Sequence, residues 1–310
     1  MKRKVNLVGQ NTLTVSLPSK WVEEYNIKKG DEIDIEESND GLIITKEFKN
    51  NEKIIKLDFS KLENRHMKWA IQVSYKEGYD NLEISFNDPD TINIIEQEIR
   101  NCPGFEVVEQ NEDGCVIKNI AKDLRDEFDS AVRRNFLNSI NMIELCVKKI
   151  KINQLKELKE LIKYEEINNK LCSFCERMVN INKTLGRKNV FAYVIIWQIE
   201  KIIDEFKYIC EYFSKEENSK VKISKDIIEI FEDVNKLFRM YYELYYSFKL
   251  DKQVEITKFS KSIKSRSQEL MEKGKGKETM LLYYLDRAND KIVECLPSTF
   301  ALNSELFEIK

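Results

Sequence analysis

Two pairs of acids carry the first chemical hint in this chain. Glu200 and Asp204, and again Asp286 and Asp290, stand four residues apart in helical stretches, so both carboxylates of a pair leave the same strip of helix one turn apart. Like charges at that spacing repel, and a cation over them offsets the cost. Oxygens so arranged suit hard or borderline cations. Glu165 and Glu166 lie where they would complete the first site. The alternative is two solvated acids neutralised by Lys201, Lys207 or Arg287.

Other chemistries find less support. The one histidine, His66, sits beside Met67 and near Trp69 with no metal-ligand spacing around it, and reads as a packing or surface residue. Cys172-Ser173-Phe174-Cys175 is a single CxxC inside a helical pattern. Zinc would want a second pair or histidines, and redox chemistry would want the pair at a helix start after a strand, so both read as core cysteines. There is no glycine-rich phosphate loop and no nucleophile elbow. No enzyme is expected, and a metal-dependent hydrolase ranks last, because a general base and a pocket around the ions are wanting. The aromatic run Tyr241, Tyr242, Tyr245, Tyr246 and Phe248 has helical spacing without interleaved basic residues, which suits bundle core and dimer contact rather than base stacking.

Long helices must carry the acids. Residues 190–213 hold no Pro or Gly, and Ala192, Ile195, Ile199, Ile202, Ile203, Phe206, Ile209 and Phe213 fall on one face. From residue 121 the period stays helical, and six helices are expected at about 121–150, 154–185, 189–216, 224–250, 252–273 and 276–296, with Pro297 closing the last. Aligning 198–209 with 284–295 gives acid, base, two spacers, acid in both. The region 121–310 therefore divides into two three-helix repeats, about 121–216 and 221–303. Residues 50–119 alternate strand and helix as βαβαββ, a small α+β domain with one layer of each. Residues 1–48 read as short strands at 4–8, 12–17, 32–36 and 42–46 around a helical turn, with Asp40-Gly41 as a hairpin signal. So short a strand-rich segment makes a poor core alone, and a second chain is expected to complete it.

The totals agree with a multidomain, mainly helical protein. Of 310 residues 51 are Lys or Arg and 54 Asp or Glu, a net charge of −3, so no global basic field exists and any DNA contact must be local. Seven scattered cysteines suit a reducing compartment. Without a signal-peptide core or a long uncharged apolar run, a cytoplasmic protein with no membrane insertion is expected.

Two resemblances follow from these residues. Thr14-Val15-Ser16-Leu17-Pro18, Trp21, Ile27, Lys29-Gly30-Asp31, Ile33 and Ile35 resemble the AbrB/SpoVT-type swapped-hairpin domain of transition-state regulators and antitoxins. That resemblance implies an intertwined homodimer through residues 1–48, usually DNA-binding, with Lys2, Arg3, Lys4 and Lys20 as the phosphate-contacting candidates. The paired acid motifs, with Arg133-Arg134, Glu165-Glu166 and Arg177-Met178, resemble the PhoU family of phosphate-uptake regulators, built of two three-helix bundles that bind metal, and that resemblance implies iron, zinc or magnesium ions on the acids. Together they look like an archaeal type of phosphate uptake regulator. The implied function is a dimeric transcriptional regulator that binds DNA through its first domain and metal ions or protein partners through its bundles. The alternative is an adaptor that only dimerises through the hairpins and docks on a phosphate-transporter ATPase or a sensor kinase.

Overall fold

The computed structural model describes residues 2–38, 41–46, 52–121, 127–181, 186–274 and 276–307. Asp40 of the expected hairpin signal lies outside them. The chain divides into two compact units, Met1–Asn51 and Glu52–Lys310.

In the first unit β1 (Val5–Val8) and β2 (Thr12–Val15) form an antiparallel hairpin with Val5 opposite Val15. A short helix, α1 (Ser19–Glu24), follows, and then a second hairpin of β3 (Asp34–Ser38) and β4 (Gly41–Thr45). Lys46 Nζ donates to the carbonyls of Tyr25 at 2.6 Å and Asn26 at 3.1 Å, closing the end of α1 where Asn26 turns left-handed. Asp31 accepts from the Lys28 amide at 2.9 Å and so shapes the turn before β3. Among the side chains described in this unit none is buried. Its half-buried apolar residues are Leu17, Trp21, Val22, Ile27, Ile33 and Ile44. Val5, Leu7, Val8, Leu13 and Val15 all stand exposed, Leu13 by 69%.

The second unit opens with an α/β layer: β5 (Ile54–Asp58), α2 (Asn64–Lys76), β6 (Asn81–Ser85), α3 (Thr91–Ile99), β7 (Phe105–Asn111) and β8 (Gly114–Asn119). The sheet order is β5-β6-β8-β7, with β5 and β6 parallel and the other pairs antiparallel, so the sheet is mixed and has the expected βαβαββ order. Alternation puts Leu82, Ile84, Cys115 and Ile117 in one core with Met67 and Ile71 of α2 and Ile95 of α3. The opposite face is polar and carries the Lys56–Glu83 pair at 2.7 Å.

The helical part follows as α4 (Phe128–Lys151), α5 (Ile162–Ile181), α6 (Asn189–Ser214), α7 (Lys225–Tyr246), α8 (Leu250–Lys273), α9 (Thr279–Glu294) and α10 (Leu296–Leu302). The first three long helices pack on one another, as do α7, α8 and α9, and the trios meet where α6 lies on α9 and α4 on α7. Their apolar sides form one continuous core, in which Phe136 of α4 meets Phe238 and Tyr241 of α7. Two expectations need correction. The second helix does not run unbroken from 154, because Leu155–Leu161 is a 3-10 segment whose buried Leu155, Leu158 and Leu161 recur every third residue. Nor does Pro297 end the helical region. It sits in the first turn of α10, where its missing N–H costs nothing.

The α/β layer is fastened to the helices at the end of α2. Arg177 of α5 is 2% exposed and donates to the carbonyls of Tyr75 at 2.8 Å and Tyr79 at 2.7 Å and to Asp80 Oδ1 at 2.7 Å. Its guanidinium also lies over the rings of Tyr75 and Phe105. Gly78, with φ +87, lets the backbone pass so close to α5 that a Cβ there would stand 2.4 Å from Ile181 Cγ2.

Candidate functional site

The first acid pair lies on α6 within a chain of alternating charges that crosses three helices. Glu165 of α5 accepts from Lys207 Nζ at 2.7 Å, and the same amine donates to Asp204 Oδ1 at 2.9 Å. Lys201 Nζ donates to Asp204 Oδ2 at 3.2 Å and to Glu200 Oε1 at 2.7 Å. Lys76 of α2 then pairs with Glu200 at 3.9 Å and with Glu176 of α5 at 2.6 Å. Burial pulls both Lys201 and Lys207 toward neutrality, but the surrounding carboxylates outweigh it and hold each amine above the ordinary lysine range. Glu166 is exposed and takes no part in this chain, while Glu165 is buried and braced by Asn169 at 2.8 Å.

The second pair lies on α9 and faces α8. Lys264 Nζ donates to both oxygens of Asp290 at 2.7 Å. Asp286 keeps Oδ1 buried without a hydrogen-bond partner; burial and then Asp290 raise its carboxyl, with Lys264 opposing. Each acid pair thus meets the middle helix of its own trio, and the two pairs have no partner in common among the described residues. What joins the trios is a different set. Glu205, 1% exposed, receives Arg287 Nε at 2.9 Å and Lys291 Nζ at 2.8 Å, Gln198 reaches Glu294, and Tyr208 meets Tyr284.

A metal ion does not fit the first set as placed. Glu200 Oε1 and both oxygens of Asp204 already accept from lysine ammonium groups, and at the second site Lys264 covers both oxygens of Asp290. Among the described residues no three His, Cys, Asp or Glu side chains gather as a metal-holding group. Lys201 and Lys207 neutralise the first pair, as the alternative named, but Arg287 pairs with Glu205 instead and the second pair meets Lys264.

Lys2, Arg3, Lys4 and Lys20 are exposed in the first unit. His66 is exposed and its ring meets Trp69 edge-on. Cys172 and Cys175 are buried, and burial pushes both thiols up, away from the thiolate that reactivity requires. The sequence reading missed Glu205, Glu176 and Lys76. A signal existed for the acids: Glu205 falls in phase with Ile202 and Ile209, and Glu176 with Cys172 and Val179, and a charge inside an apolar stripe demands a partner.

Residues 8–51 match the family described as "Antidote-toxin recognition MazE, bacterial antitoxin". This part of the chain is a MazE/AbrB-type domain. No curated protein and no solved structure matches the chain. The MazE-type segment is a small part of the 310 residues and leaves the α/β layer and the helices without a shown family. No helix among the described residues is long and apolar enough to cross a membrane.

Proposed function

We propose that the chain is a dimeric regulator of the phosphate-uptake type, which contacts DNA through its MazE/AbrB-type unit and receives its signal or protein partner through the two helical trios. The observation that carries this reading is the contrast inside the first unit. Leu17, Trp21, Ile27 and Ile33 of the family motif are half-buried, while the apolar side chains of β1 and β2, Val15 of the motif among them, stand in solvent. Leaving Val5, Leu7, Leu13 and Val15 wet forgoes about 1.5–3 kcal/mol for each side chain that could be buried. A second copy interleaving its hairpins would recover it. The same dimer would bring two sets of Lys2, Arg3, Lys4 and Lys20 together, each exposed. Support for the phosphate assignment comes from the arrangement in trios, each ending in a helix with an acid four residues before an aspartate.

A second reading is favoured by the family description, in which the domain recognises a protein toxin. Here the first unit would only dimerise or hold a protein, and the bundles would dock on a transporter ATPase or sensor kinase. Fluorescence anisotropy of the full chain with DNA from its own promoter separates the two. Binding is expected at low salt and should weaken linearly on a log scale as salt rises. Replacing Lys2, Arg3 and Lys4 with Ala removes six cations per dimer and should cut that slope by as much as about 5. Absence of binding at low salt would leave the protein-binding reading.

A further inference from the structure

Glu176 is a buried acid that none of these roles uses. Its side chain is 0% exposed and sits at the seam where α5 meets the end of α2. From α2 it faces Lys76, whose Nζ is 2.6 Å away. From α6 it feels Glu200 and Lys201, and Tyr193 stands near enough to respond to its charge. On its own helix are Cys172, Cys175 and the adjacent Arg177. Its Oε1 is buried with no hydrogen-bond partner. A cleft of about 450 Å³ opens along the same seam, lined by Val73, Lys76, Asn180, Tyr193 and Val194 among others, and gives water a route to Lys76. Two successive residues of α5 therefore hold the end of α2 by different means. Arg177 does so with a permanent charge, and Glu176 with a titratable one.

We propose that the α2–α5 seam is a proton-responsive joint, tightened when Glu176 takes up a proton and loosened when it is ionised. The sign is the reverse of what the ion pair alone suggests. Burial raises the Glu176 carboxyl from its ordinary 4.5 to about 7, and the attraction of Lys76 only partly offsets this. Opening the seam returns the carboxyl to water and to its ordinary range. The opened form therefore holds the proton less tightly, and opening is favoured as pH rises from about 5 to 7, then levels off above the folded value. Lys76 stays charged throughout, because Glu200 also supports it. Losing the proton thus loosens the attachment of the α/β layer to the helices while the Arg177 contacts remain.

Hydrogen exchange of the full chain, corrected for the intrinsic pH dependence of exchange, tests this on peptides covering α2 and the turn after it. The opening constant of the native protein should rise about thirtyfold between pH 5 and pH 7. Glu176→Gln should abolish that rise. Lys76→Met, which removes the offsetting ammonium, should extend it above pH 7. A native seam with no pH dependence, or a Glu176→Gln seam that keeps the full rise, would overturn the proposal. Should the glutamine variant not fold, an unchanged midpoint in Lys76→Met would overturn it equally.

Discussion

At the scale of single residues, charges buried in pairs decide more than the acids that first draw the eye. Glu205 holds Arg287 and Lys291 across the seam between the trios. Glu205→Ala would leave both cations facing a buried gap. Breaking a fully buried pair costs about 3–5 kcal/mol, but Arg287 can turn to solvent, so a loss of about 2 kcal/mol is expected as a lower urea midpoint at unchanged slope. Glu176 makes the opposite case. Because its folded value lies above its ordinary one, the folded state binds the extra proton, and global stability should fall as pH rises from 5 to 7. Relative to Glu176→Gln, that decline should reach on the order of 2 kcal/mol, read from denaturant melts at each pH. Lysine neutralisation makes a prediction too. Metal content of the purified protein should not change on replacing Glu200 and Asp204 with Ala, and a drop would restore the metal reading.

At the scale of elements, Gly78 and Arg177 show how the α/β layer is tied down. Gly78→Ala puts a methyl group into Ile181 at a left-handed backbone position, so a destabilisation of about 1–3 kcal/mol is expected, with faster exchange confined first to α2 and the end of α5. The same elements measure how far the sequence could be read. The six long helices and the βαβαββ order were legible because their apolar periods are long and regular, as in residues 190–213. The 3-10 segment was not, although Leu155, Leu158 and Leu161 spell a period of three, because a short run of leucines fits either helix. The acid pairs were visible by spacing. Their lysine partners were only half visible, since Lys201 and Lys207 are local to α6 while Lys76 and Lys264 arrive from other helices. Long-range pairing of that kind leaves no mark in a single sequence.

At the scale of the whole molecule, the two units differ in how they can be stable. The unit from Glu52 onward buries a continuous helical core and a separate α/β core within one chain. Among the side chains described in the first unit none is buried, which leaves little to repay the entropy of ordering its hairpins. In the proposed dimer the second copy would supply that burial. Leu7 and Leu13 face each other across the β1–β2 ladder, and both stand exposed. Converting each to Asp adds like charges at one cross-strand pair and forbids burial against a second copy. Sedimentation equilibrium should give a dimer for the native chain and a monomer for the double variant. The variant should keep the far-ultraviolet helical signal, because the helices owe nothing to the first unit for their core. A dimer that survives both substitutions would place the contact elsewhere and remove the basis for bringing two sets of N-terminal cations onto one DNA site.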